Sequence, residues 1–151
     1  MATVDEVYGE YGKTAEVAQT FEHMLATLLL LIECGLCGWH NVPDSESAQK
    51  ALDQIEAKTL GGKLTQLRNA VGIDPQIKDR LAKALMYRNK LMHGWFYKHD
   101  EAMETNAGRE AMVGELRATR TEMGEAWQLS SDMWDLMHQT LTQQKGAKKG
   151  E

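Results

Sequence analysis

Proline and cysteine are scarce in this chain of 151 residues, with two of each: Pro43, Pro75, Cys34 and Cys37. With so few prolines, long helices can run uninterrupted, and Ala, Leu, Met, Glu, Gln and Lys fill the intervals. Sustained alternation of apolar and polar residues, the mark of half-buried strands, is also missing, which leaves an all-α chain. The stretch Cys34-Gly35-Leu36-Cys37, with His40 three residues on, has no second cysteine pair to complete a zinc site. It also lacks the strand-helix-strand setting of a redox dithiol, so both cysteines read as structural thiols at a helix end.

A basic excess is missing too. Lys and Arg total 17 against 22 Asp and Glu, a formal net charge of −5, so any nucleic-acid site has to be local. Met1 to Glu6 carries acids where an export signal has basic residues followed by an apolar run. The most apolar run, Leu28 to Ile32, lies between Glu22-His23 and Glu33 and falls short of the roughly 20 apolar residues of a bilayer span. These absences point to a cytoplasmic protein that does not use a membrane. The length suits one domain that buries its own core, and there is no internal repeat or low-complexity segment.

What remains is helical periodicity. A first helix is expected from about Thr14 to Glu33, with Val17, Phe21, Met24, Leu25, Leu28, Leu31 and Ile32 at spacings of three and four and Gly35 and Gly38 to end it. Asp44 or Ser45 caps a second helix through about Ala57. Thr59 caps a third, with Leu60, Leu64, Leu67 and Val71 as its stripe. Asp74-Pro75 opens a fourth, which the pattern carries to about Tyr97. Lys98 to Gly108 reads as a loop, and a last helix is expected from about Arg109 to Gln143. The whole is a single-domain bundle of four to five helices over residues 1–144, followed by a disordered tail, 145–151.

The fourth helix carries the informative feature, Arg88-Asn89-Lys90-Leu91-Met92-His93. Ile77, Leu81, Ala84, Arg88, Leu91 and Trp95 form one stripe, so a guanidinium lies in the middle of an apolar row. If the helix continues to Tyr97, Arg88 and His93 stand roughly 140° apart around its axis, and Asn89 shares the face of His93. A half-buried guanidinium cannot shed its charge and needs an anion, either a carboxylate or a ligand phosphate. Glu22, on the inner side of the first helix with Ala18, Leu25 and Leu29, is the carboxylate within the chain.

The string from Arg88 to Phe96 resembles the motif of the HEPN superfamily: an arginine, a polar residue, a short spacer and a histidine. Arg88, Asn89 and His93 match those positions. Thr59-Leu60-Gly61-Gly62-Lys63-Leu64 with the 88–96 segment also looks like uncharacterised bacterial HEPN-like proteins. The resemblance implies a helical bundle that dimerises symmetrically with its motif helices facing each other. It also implies endoribonuclease activity that uses no metal and no cofactor, of the toxin or phage-defence type, with RNA as substrate and an antitoxin protein as a possible partner. In that scheme His93 moves protons at the ribose 2'-hydroxyl or the leaving oxygen, Arg88 holds the phosphate, and Asn89 orients the histidine.

Imidazole titrates near neutrality and arginine offers a fixed fork to phosphate oxygens, so the roles are chemically sound. Arg68, Lys78, Arg80, Lys83, Lys90 and Lys98 could attract the RNA backbone. Toxins paired with nucleotidyltransferase antitoxins carry a tyrosine two positions after the motif histidine. This chain has Trp95 there, with Tyr97 nearby but out of register. Trp95 and Phe96 can serve as core or dimer contacts or as a stacking platform for bases. The alternative to a nuclease is a non-catalytic dimerisation or nucleotide- or protein-binding module, with Arg88 and Glu22 as a structural pair.

Overall fold

In a computed structural model, which describes residues 1–70, 72–148 and 150, the chain is helical and contains no strand among those residues. The helices are α1 (Val4–Cys37), α2 (Ser45–Glu56), α3 (Leu60–Ala70), α4 (Pro75–Met92), α5 (Trp95–Lys98), α6 (Asp100–Met103) and α7 (Asn106–Lys148). Five are long enough to act as bundle helices, whereas α5 and α6 span four residues each.

α1 begins ten residues earlier than its apolar stripe suggests. Thr3 is its N-cap, accepting from the Glu6 backbone N–H at 3.1 Å, and Val7, Glu10, Thr14, Ala18 and Phe21 carry the buried stripe back to the start. Gly9 and Gly12 weaken the helix locally and hide it in sequence, but burial against α7 outweighs a cost of about 1 kcal/mol per glycine. Gly38 ends the helix with φ of 73°, its N–H bonded to the Cys34 and Gly35 carbonyls. Gly35 lies inside α1, where a Cβ would come within 3.1 Å of a Leu141 methyl, so it lets α7 approach closely.

The two long helices run side by side in the same direction. Arg109 Nε donates to the Ala2 carbonyl at 2.8 Å, Arg120 Nη1 reaches Glu10 at 2.7 Å, and Leu141 meets Gly35, so the register rises together along both. α4 crosses them in the opposite sense: Arg80 pairs with Glu125 and Lys83 with Glu122 on α7, while Arg88 meets Glu22 on α1. Two apolar clusters result. One gathers Phe21, Leu25, Leu28, Leu29, Ile32, Ile55, Leu67 and Leu81. The other, nearer the start of α1, gathers Val7, Ala18, Leu91, Trp95, Met112, Leu116 and Met123.

Several sequence boundaries move. Asp44 and Asp74 cap α2 and α4, and the Thr59 hydroxyl accepts from the Gly62 N–H at the start of α3. Val71, expected on the third stripe, lies outside the described residues. α4 stops at Met92 rather than Tyr97, because Gly94 takes a left-handed φ of 71° that a helix cannot continue. The expected loop at 98–108 contains part of α5, all of α6 and the start of α7. That last helix continues over 145–148, where a disordered tail was expected, and residues 142–147 stand exposed along it. Residues 149 and 151 of that tail lie outside the described residues. α1 also contains an 18-residue window of mean hydropathy 1.5, apolar enough by length and composition to cross a membrane, of which 33% is buried inside the fold. The apolar stretch is therefore longer than the run at 28–32 implies.

Among the described residues Glu10 is the most enclosed charge, with its side chain 7% exposed. The Arg120 guanidinium, followed by Lys13, lowers its pKa from 4.5 to about 2 against the cost of burial. A carboxyl more acidic in the folded state adds stability above its unfolded pKa and loses it as pH falls through the folded one. Thermal unfolding midpoints should therefore hold level from neutrality to about pH 4.5 and then fall toward pH 2. Glu10→Gln should lower the neutral midpoint and flatten that acid limb.

Candidate functional site

The site is built where the last turns of α4 lie against α1 between Tyr11 and Glu22. Arg88 leaves the inner side of α4 and its Nε donates to Glu22 Oε1 at 2.6 Å, with both side chains about a quarter exposed, 24% and 27%. Its Nη1 donates to Asn89 Oδ1 at 3.3 Å. The guanidinium is thus held by a carboxylate from another helix and an amide from its own. Asn89, Lys90 and His93 are exposed.

His93 is the C-cap of α4, with φ of −110° and ψ of 84°, and its backbone N–H donates to the Asn89 carbonyl. The angle of roughly 140° expected between Arg88 and His93 assumed a continuous helix and does not apply to a residue at its broken end. Gly94 then reverses the chain into α5. Tyr11 secures the corner by donating its hydroxyl to the Leu91 carbonyl at 3.2 Å, with its ring 4.7 Å from Phe96 and 5.7 Å from Trp95.

Trp95 and Tyr97 part company. Trp95 is buried at 4% exposure, and its indole N–H donates to Glu115, so it packs the second cluster and offers no face to a base. Tyr97 is 88% exposed. The basic residues divide in the same way: Arg80 and Lys83 are tied to Glu125 and Glu122 at 2.6 and 3.0 Å, and Glu122 raises the Lys83 pKa. Arg68, Lys78, Lys90 and Lys98 stand exposed.

His99, which reads in the sequence as a surface or capping residue, sits at the junction of α5 and α6 and belongs to a side-chain group. His99 stacks on Trp95 with ring centroids 4.3 Å apart. Its Nε2 lies 2.6 Å from Glu115 Oε2 and its Nδ1 2.7 Å from the Trp95 carbonyl. Only Tyr8 and Tyr11, one turn apart, could have signalled the aromatic corner, and they fall in the part of α1 that its glycines conceal. At the far end of α1, Cys34 and Cys37 are free thiols on the last turn. No group of three or more His, Cys, Asp or Glu among the described residues is arranged to hold a metal ion.

Comparison of the chain with protein-family models, characterised proteins and solved structures gives no match.

Gly94 sets where His93 stands, and its left-handed backbone costs an L-residue about 1–2 kcal/mol. Gly94→Ala should lower unfolding free energy by that amount in urea titration, and a neutral substitution would show that the corner can re-form another way.

Proposed function

We propose that this chain is an HEPN-like, metal-independent endoribonuclease that acts on RNA as a symmetric homodimer in the cytoplasm. The observation that carries the reading is the exposure of His93 directly after α4, in the Arg-Asn-x(3)-His spacing and within a turn and a half of an anchored arginine. An imidazole open to solvent can reach a substrate proton, whereas one packed in the core could not. The all-helical fold is compatible with this family, and the assignment itself rests on the motif.

In the proposed reaction, His93 takes the proton from a ribose 2'-hydroxyl. The freed oxygen attacks the adjacent phosphorus, the phosphorus–oxygen bond to the next nucleotide breaks, and His93 of the partner subunit protonates the leaving oxygen. The nucleophile belongs to the substrate and already lies beside its phosphorus, so positioning supplies much of the rate. Arg88 has five N–H donors; Glu22 and Asn89 engage Nε and Nη1, which leaves Nη2 for a phosphate oxygen. Lys90 and Lys98 add local attraction that the overall charge of −5 does not. Of the partners the motif suggests, an antitoxin would act by covering His93. With Trp95 buried in the tyrosine position, modification of that position is not part of the scheme.

A second reading is favoured by the 2.6 Å Arg88–Glu22 contact. It makes the chain a non-catalytic dimerisation or nucleotide- or protein-binding module in which the arginine is structural.

Cleavage of a mixed-sequence RNA by the purified protein in EDTA separates the two. The nuclease reading expects cleavage, with His93→Ala reducing the rate at least about 100-fold while unfolding is unchanged. Equal rates for the wild type and the variant, or no cleavage by either, would leave the binding module as the better account.

A further inference from the structure

At the opposite end of the bundle from His93, the last turns of α1, the 38–44 connection, the start of α2 and the side of α7 enclose an open cavity of ≈ 390 Å³. None of its walls comes from α4, so it is independent of the site above. Leu30, Leu31, Trp39, Pro43, Ala48 and Trp134 supply the surface. His138 stacks against Trp134 with its ring 8° from parallel at 4.8 Å, which fixes the indole plane.

Two of the polar groups at this cavity, on Thr27 and Asp44, are already occupied, and the rest of the lining is mostly apolar. The Thr27 hydroxyl donates to the His23 carbonyl at 2.9 Å. The Asp44 carboxylate caps α2, accepting from the Ser47 N–H at 3.1 Å and the Ser47 hydroxyl at 2.7 Å. Those bonds keep Asp44 ionised, so the one charge at the rim is negative. Water in such a space finds carbon on most sides and gains little from staying, and a volume of this size suits a small ligand. An anionic ligand would meet a carboxylate whose neighbouring cation, Lys50, is paired with Glu46 at 3.2 Å, and a strongly polar one would lose hydration for few hydrogen bonds in return.

We propose that this cavity is a binding site for a neutral, apolar aromatic molecule about the size of a substituted bicyclic ring, held by shape and by contact with Trp39 and Trp134.

Titration of the full chain with the neutral dye N-phenylnaphthylamine tests the proposal. Saturable binding of one dye per chain is expected, with the anionic dye anilinonaphthalene sulfonate at least about tenfold weaker. Ala48→Trp, which fills the cavity, should weaken the neutral dye at least about tenfold while circular dichroism is unchanged. A second measurement holds if that variant fails to fold. Cys34 lines the cavity and the exposed Cys37 does not, so bound dye should slow alkylation of Cys34 and leave Cys37 unaffected. Unsaturable binding, equal affinity for a folded Ala48→Trp variant, or an unchanged Cys34 rate would overturn the proposal. So would dye affinity that falls as protein concentration rises, the sign that a second copy fills the cavity.

Discussion

The parallel seam between α1 and α7 is the contact on which the rest of the structure depends. Neither helix has a hydrophobic surface that could stay exposed along its length, and the short helices between them, α2, α3, α5 and α6, are not stable alone. The seam is pinned at both ends: at the start by the Arg109 bond to the Ala2 carbonyl and the Glu10–Arg120 pair, and at the finish by Leu141 against Gly35. With those two rods fixed, α4 has one place to lie, antiparallel across both, and its final turn is set beside Glu22. The position of Arg88 is therefore a consequence of how α1 and α7 pair.

The sequence was most legible where local chemistry and packing agree. Asp44, Thr59 and Asp74-Pro75 mark helix starts that the structure keeps, and the stripe through Phe21, Leu25 and Leu28 is core. It was least legible where one signal masks another. Gly9 and Gly12 look like breakers, yet the turns around them are buried against α7. At the end of α4 the masking is reversed: Trp95 and Phe96 extend the apolar stripe past His93, whereas Gly94 turns the chain and sends Trp95 into a different cluster. Long-range polar partners are invisible to periodicity, which is why the Glu115–His99–Trp95 group and the ties from Arg80 and Lys83 to α7 emerge only in three dimensions.

Those ties reshape the electrostatics of the candidate site. Of six basic residues that could attract a polyanion, two are neutralised by neighbouring carboxylates, and Arg68, Lys78, Lys90 and Lys98 stay exposed with no ion pair among the described residues. Glu22 acts on Arg88 in the same way, at 2.6 Å and in a more enclosed setting. In the proposed nuclease, an incoming phosphate competes with this carboxylate or shares the guanidinium with it. In the alternative, the carboxylate is the arginine's permanent partner. Both depend on a pair that is strong as well as close, and a part-buried guanidinium that donates through Nε to a carboxylate and through Nη1 to an amide is the type of cation for which that holds.

A double-mutant cycle in urea, with Arg88→Met, Glu22→Gln and the double variant, measures that coupling directly. The account predicts an interaction free energy of at least about 1 kcal/mol, since each single change strands a partly buried partner and the double change does not. Additive losses, with a coupling near zero, would contradict it and return Arg88 to the surface as an unanchored charge.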